Sequence, residues 1–241
     1  MNGRVIKAGL LCISLMILGA SMSAEAGLFG LGGTSWKEEM LLHDGKKIIV
    51  ERSQTYGGRH EIGQSAPIKT HTITFTLPNS AKTLTFKSEY SEDVGRANLN
   101  LLALHVLNGT PYIVAEPNLC LAYNKWGRPN PPYVIFKYDG KAWQRIPISQ
   151  LPAEFKAINL IVNNGREEDI EQAAAVKGYV SETDVREINS SLRQPEYRGI
   201  LREAYATAAG SCAPMVHYKC GWTGVNSDGT FNKEFMDRMC R

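Results

Sequence analysis

Beyond its first 26 residues this 241-residue chain has no apolar run long enough to cross a bilayer. The best, residues 99–107, falls well short of the ~20 residues a spanning helix needs and is interrupted by Asn100 and His105. Blocks of like charge are also missing. Lys and Arg number 27 against 24 Asp and Glu, for a net charge of +3, with no basic run. That excludes an ordinary nucleic-acid surface, which needs concentrated positive charge to displace counterions. Catalytic signatures are absent: no G-x-S-x-G elbow, no H-E-x-x-H, no phosphate-cradling glycine loop and no C-x-x-C pair. The histidines (His43, His60, His71, His105, His217) are scattered without metal-ligand spacing, so no metal and no cofactor are expected. No unit of 40–50 residues recurs, which disfavours a propeller.

What is present begins with a leader. Arg4 and Lys7 precede an apolar run over residues 8–20, and Ala24-Glu25-Ala26 forms a small-x-small site. This is the layout of a secretory signal peptide over 1–26, removed on export, which leaves a soluble chain with no transmembrane segment. Cys12 lies inside that run; Cys120, Cys212, Cys220 and Cys240 remain. An even set of cysteines in an exported chain points to disulfides, with three pairings open. One bridge inside the tail and one from the tail to Cys120 is preferred. A periplasmic or secreted location follows.

After a glycine-rich lead-in over 27–34, residues 35–162 read as a β-rich body. Residues 36–43 and 46–52 flank Asp44-Gly45, a pair suited to a two-residue type I′ turn. Residues 70–77 alternate strictly, with Ile73, Phe75 and Leu77 on one face and threonines on the other, and Leu84 and Phe86 answer them after Pro78-Asn79. Residues 99–107 and 112–115 join at Asn108-Gly109, and 133–138 and 141–146 at Asp139-Gly140, the latter setting Phe136 opposite Trp143. Residues 158–162 are a last expected strand.

A helical segment over 163–205 follows: helix formers at 166–177 ended by Gly178, a second helix capped by Ser181 with Asp184, and a third from Pro195 to Leu201. The tail, 206–241, is expected to be irregular, disulfide-stapled and packed on the body. Strands precede helices rather than alternating with them, so the fold class is α+β with an antiparallel body of several hairpins.

Residues 123–133, YNKWGRPNPPY, carry the densest chemistry. Tyr123, Trp126 and Tyr133 stand among Asn124, Lys125, Arg128 and Asn130, and three prolines stiffen the backbone. Flat rings beside amide and guanidinium donors suit a sugar or a protein hot spot. Tyr123, Trp126, Arg128 and Tyr133 are the candidate binding residues; no residue is assigned a catalytic role. His60-Glu61 would point to opposite faces of an extended chain and reads as solvated loop. Glu89, Glu92 and Asp93 lack calcium-loop spacing and read as a solvated turn.

The runs SEYSEDVGRANLNLLALHVLNGTPYIVAEPNLCLAYNKWGRPNPPY (88–133) and YDGKAWQRIP (138–147) resemble exported proteins of a Gram-negative bacterial family without an assigned activity. The resemblance implies an envelope setting and brings no ligand or catalytic residue with it. The reading is therefore a non-enzymatic exported binding protein with an envelope protein or glycan as partner. Two alternatives stand beside it. One is a polysaccharide hydrolase using carboxylates among Glu61, Glu89, Glu92 and Asp93, with Trp126 as a sugar platform. The other is a structural subunit of an envelope or secretion assembly.

Overall fold

The computed structural model describes residues 33–162, 166–207, 210 and 212–241. The expected signal peptide and most of the lead-in lie outside the described residues. Gly33 and Thr34, assigned to the lead-in, instead open the first strand. Two four-stranded antiparallel meanders make the body. The first orders β1 (Gly33–Leu41), β2 (Lys47–Tyr56), β3 (Ile68–Thr76) and β4 (Thr83–Lys87) side by side. A short ribbon of β5 (Tyr90–Ser91) and β6 (Arg96–Ala97) leads to β7 (Leu99–Leu107) and β8 (Thr110–Pro117). Helix α1 (Leu119–Lys125) then precedes β9 (Val134–Tyr138) and β10 (Trp143–Ile146), and the second sheet runs β10–β9–β8–β7.

The alternation read from the sequence is what packs the two sheets. Met40, Val50, Ile73, Phe75, Leu84 and Phe86 from the first meet Leu99, Leu101, Leu104, Ile113 and Val134 from the second in one core. Each such aliphatic side chain contributes on the order of 2 kcal/mol by leaving water. The second sheet is apolar on its other face too: Leu102, Val114, Ile135 and Tyr133 pack under Leu151, Phe155, Val162 and Ile200. That double burial explains the nearly continuous apolar run of β7. Among the described residues no helix is long and apolar enough to cross a membrane.

Turn geometry departs from expectation at two of three hairpins. Asn108-Gly109 is a two-residue turn with φ of 50° and 74°, as type I′ demands. At Asp44-Gly45 only Gly45 has positive φ (82°); Leu41 pairs with Lys47 and Leu42 bonds Lys46, so the loop has three residues. At Asp139-Gly140 the first ladder pair is Tyr138–Trp143, which sets Phe136 opposite Arg145 rather than Trp143. Both aromatics still meet, through Phe86, at 4.9 and 5.3 Å.

Residues 158–162 are not a strand. They run beside β7 with one backbone bond, Leu160 N to Leu102 O, but side-chain amides occupy the ladder positions. Asn159 bonds Leu104 N and O and Leu41 O, while Asn189 bonds Val162 N and Leu160 O. Helix α2 (Glu167–Ala174) ends before Gly178, whose φ is 73°. Helix α3 (Glu182–Ser190) starts at the expected Ser181–Asp184 capping box. Both helices pack on β1 around Trp36, Ile170, Val180 and Val185. The third expected helix is only a 3-10 turn, Pro195–Tyr197.

The tail is more regular than expected. It holds a hairpin of β11 (Met215–Tyr218) and β12 (Gly221–Gly224), and α4 (Lys233–Met239) capped by Asn232. Cys120 bonds Cys212, tying the tail to α1, and Cys220 bonds Cys240 within the tail.

Candidate functional site

Strand β8 sends Tyr112 and Val114 into the second core, and the same period brings Glu116 to that face at the strand's end. The register sets Asn100 of β7 directly opposite. Glu116 is only 6% exposed. Its Oε1 accepts from the Tyr197 hydroxyl at 2.8 Å and from Asn100 Nδ2 at 3.2 Å. No cationic side chain among the described residues is ion-paired with it. Burial pushes its carboxyl up to about 7, against the two hydrogen bonds and with help from nearby Glu196. A carboxyl in that position is part protonated at neutral pH.

Glu116 lines a cleft of about 400 Å³. Asn100, Asn118, Tyr123 and Pro132 come from the second sheet and the segment around α1; Gln194, Glu196, Tyr197 and Tyr205 come from the opposite wall. Tyr205 donates to Glu196 Oε2 at 2.7 Å, and Asn130 brackets the Tyr205 backbone with two bonds of 3.0 Å. Burial raises both Tyr197 and Tyr205, so the phenols remain donors to their carboxyl partners. Among the described residues no Lys, Arg or His lines the cleft.

Two residues of this lining each carry a polar atom without a hydrogen-bond partner among the described residues. Glu116 Oε2 receives no hydrogen bond, and neither does the hydroxyl of Tyr123, a residue also 6% exposed. Both residues line the cleft. At the rim Leu119 is 61% exposed with φ of 65°, a left-handed conformation unfavourable for a non-glycine residue.

The expected binding residues do not share one surface. Tyr123 lines the cleft, with the Arg128 guanidinium 5.0 Å over its ring. Arg128 also donates to Asn124 Oδ1 and Cys212 O, bracing the wall that the Cys120–Cys212 bridge fastens. Tyr133 is buried, its hydroxyl 3.0 and 3.1 Å from the carbonyls of Glu196 and Gly199, where it seats the opposite wall. Trp126 lies elsewhere, half-buried against the main core beside Phe136 and under Arg145.

The other candidate carboxylates do not enter the cleft. Glu61, Glu89 and Glu92 are exposed; Glu89 and Asp93 flank Lys125, and Asp93 also accepts from Trp222. His60 is exposed and contacts Gly58 O. Among the described residues no group of three or more His, Cys, Asp or Glu is placed to hold a metal ion.

Sequence reasoning misses Glu116, Glu196, Asn100, Tyr197 and Tyr205. One signal was available for Glu116: it is a carboxylate ending the otherwise apolar run YIVAE. Its partners come from segments nearly a hundred residues apart, and no local pattern joins them. Comparison of the chain with protein-family models, with curated proteins and with solved structures found no match.

Proposed function

We propose that the chain is an exported binding protein, periplasmic or secreted, that holds a hydroxyl-rich ligand, a stretch of envelope glycan, in the Glu116 cleft. The observation that carries this reading is that two nearly buried side chains, Glu116 and Tyr123, line one cleft and each has an oxygen with no hydrogen-bond partner among the described residues. Asn100, Asn118 and Gln194 add amides, and tyrosine rings add flat apolar faces that suit a sugar. Export is supported by the leader-like residues 1–26 and by the two disulfides.

The test is retention on purified cell-wall sacculi of the oxidised protein, its Tyr123→Phe variant and a Trp126→Ala variant. Tyr123→Phe removes one hydroxyl from the cleft and is expected to weaken retention about tenfold, in line with one lost polar contact. Trp126→Ala, away from the cleft, is expected to bind like the parent. The reverse order would move the site to the Trp126 surface and overturn the assignment. A second reading, glycan hydrolysis, is favoured by one observation: a carboxyl held near neutrality shares a cleft with a second, Glu196. Soluble fragments released over time, and lost with Glu116→Gln, would establish it.

A further inference from the structure

We infer that the ligand in the cleft presents a cationic group, an ammonium or guanidinium, to Glu116. The inference rests on the cleft being the ligand site and adds the charge of what enters it.

The fold contains its own comparison. Glu38 is as thoroughly removed from water as Glu116, and its carboxylate is met by buried Arg52 at 2.9 Å and by Trp36 Nε1 at 2.8 Å. Glu116 has two neutral donors, both on Oε1, and no cation. Three positive groups on neighbouring segments have other partners. Arg128 lies on Tyr123 and bonds Cys212 O, Arg202 bonds the carbonyls of Leu151, Pro152 and Phe155, and Lys125 pairs with Asp93. The titratable groups facing Glu116 are Glu196 and Tyr197 from the 3-10 turn, with Tyr205 and Tyr133 beyond them. None of these supplies positive charge. A desolvated carboxyl, a second carboxyl, aromatic faces and no Lys, Arg or His among the described lining residues together favour a cation and disfavour an anion.

Proton release follows. With the cleft free, Glu116 holds a proton over part of the neutral range. A cation entering beside Oε2 favours the carboxylate, so the O–H bond breaks, the proton leaves to buffer and the ion pair takes its place. Affinity for the cation then rises with pH through about 7 and is lost below it.

A matched pair of probes tests this: an N-acetylglucosamine disaccharide bearing a 2-aminoethyl aglycone, and the same disaccharide bearing 2-hydroxyethyl. Butylammonium alone is the third probe. Titration calorimetry at pH 5.5 and 8, in buffers of different ionisation heat, gives both affinity and protons released. The expected result is tenfold or greater preference for the aminoethyl glycoside at pH 8. It should shrink at pH 5.5, come with net proton release near pH 7, and disappear in Glu116→Gln. The pH dependence of the unaltered protein is an independent readout should that variant fold poorly. Equal binding of both glycosides, without proton release, overturns the cationic inference and leaves the glycan reading standing. Butylammonium binding with proton release while neither glycoside binds supports the inference and overturns the glycan reading. Binding of none overturns both.

Discussion

Glu38 and Arg52 illustrate how much one residue of register decides. They lie on one face of the first sheet because Glu38 stands opposite Val50 and Arg52 opposite Trp36. A two-residue turn at Asp44-Gly45 would have slipped the ladder by one position and put the two charges on opposite faces. The pair is therefore not legible from residues 36–52, where only the two strands and the turn between them can be read. Removing Arg52 alone leaves a buried carboxylate without its counter-charge. Arg52→Met is expected to cost about 3–5 kcal/mol in urea unfolding, and the double variant Glu38→Gln/Arg52→Met less than that single change. Glu116 was hidden for a related reason. The strand legible from the sequence, 112–115, stops one residue short of it, and the tyrosine that meets it comes from a turn 81 residues onward.

Local signals place the hairpins but not always their registers, as the Asp44-Gly45 and Asp139-Gly140 turns show, and elements held by distant side chains are not legible locally. The Ser181–Asp184 cap and the Asn108-Gly109 turn are made by adjacent residues and survive any tertiary arrangement. Residues 158–162 have strand chemistry but are held by Asn159 and Asn189 amides, which no local pattern announces. Helix α1 sits inside a stretch dominated by aromatics and prolines, and its fastening to the tail at Cys212 spans a sequence separation of 92. Opening that bridge with Cys120→Ser/Cys212→Ser is expected to cost about 3 kcal/mol or more, given the large loop it closes. Cleft binding should fall further than overall stability explains, because one wall loses its anchor. Sacculus retention measured beside thermal unfolding separates the two effects.

At the scale of the whole molecule, buried titratable groups set opposing limbs of the pH–stability profile. Burial holds His71 at about 3 and His105 at about 4, below their ordinary 6.5. As pH falls below 6.5 the unfolded chain takes up protons that the native chain refuses, and stability is lost down toward those folded values. Glu116 works in the other sense. Its carboxyl is raised from 4.5 to about 7, so its contribution is full below 4.5 and lost as pH rises through about 7. The shift corresponds to about 3 kcal/mol. From these groups, greatest stability is expected near pH 6–7, and Glu116→Gln should flatten the alkaline limb, as chemical denaturation across pH 4–9 would show.

One further contact bears on how copies of the chain behave together. Val180 takes the amide of Glu39 and gives its own to the carbonyl of Lys37, in parallel with β1. Strand β1 is the outer strand of its sheet, nine residues long and alternating, the profile of an edge that recruits strands from other molecules. By occupying the middle of that edge with its own backbone, the segment before α3 denies it to a neighbour. Protection of this edge against strand recruitment is thus supplied by a residue that belongs to neither sheet.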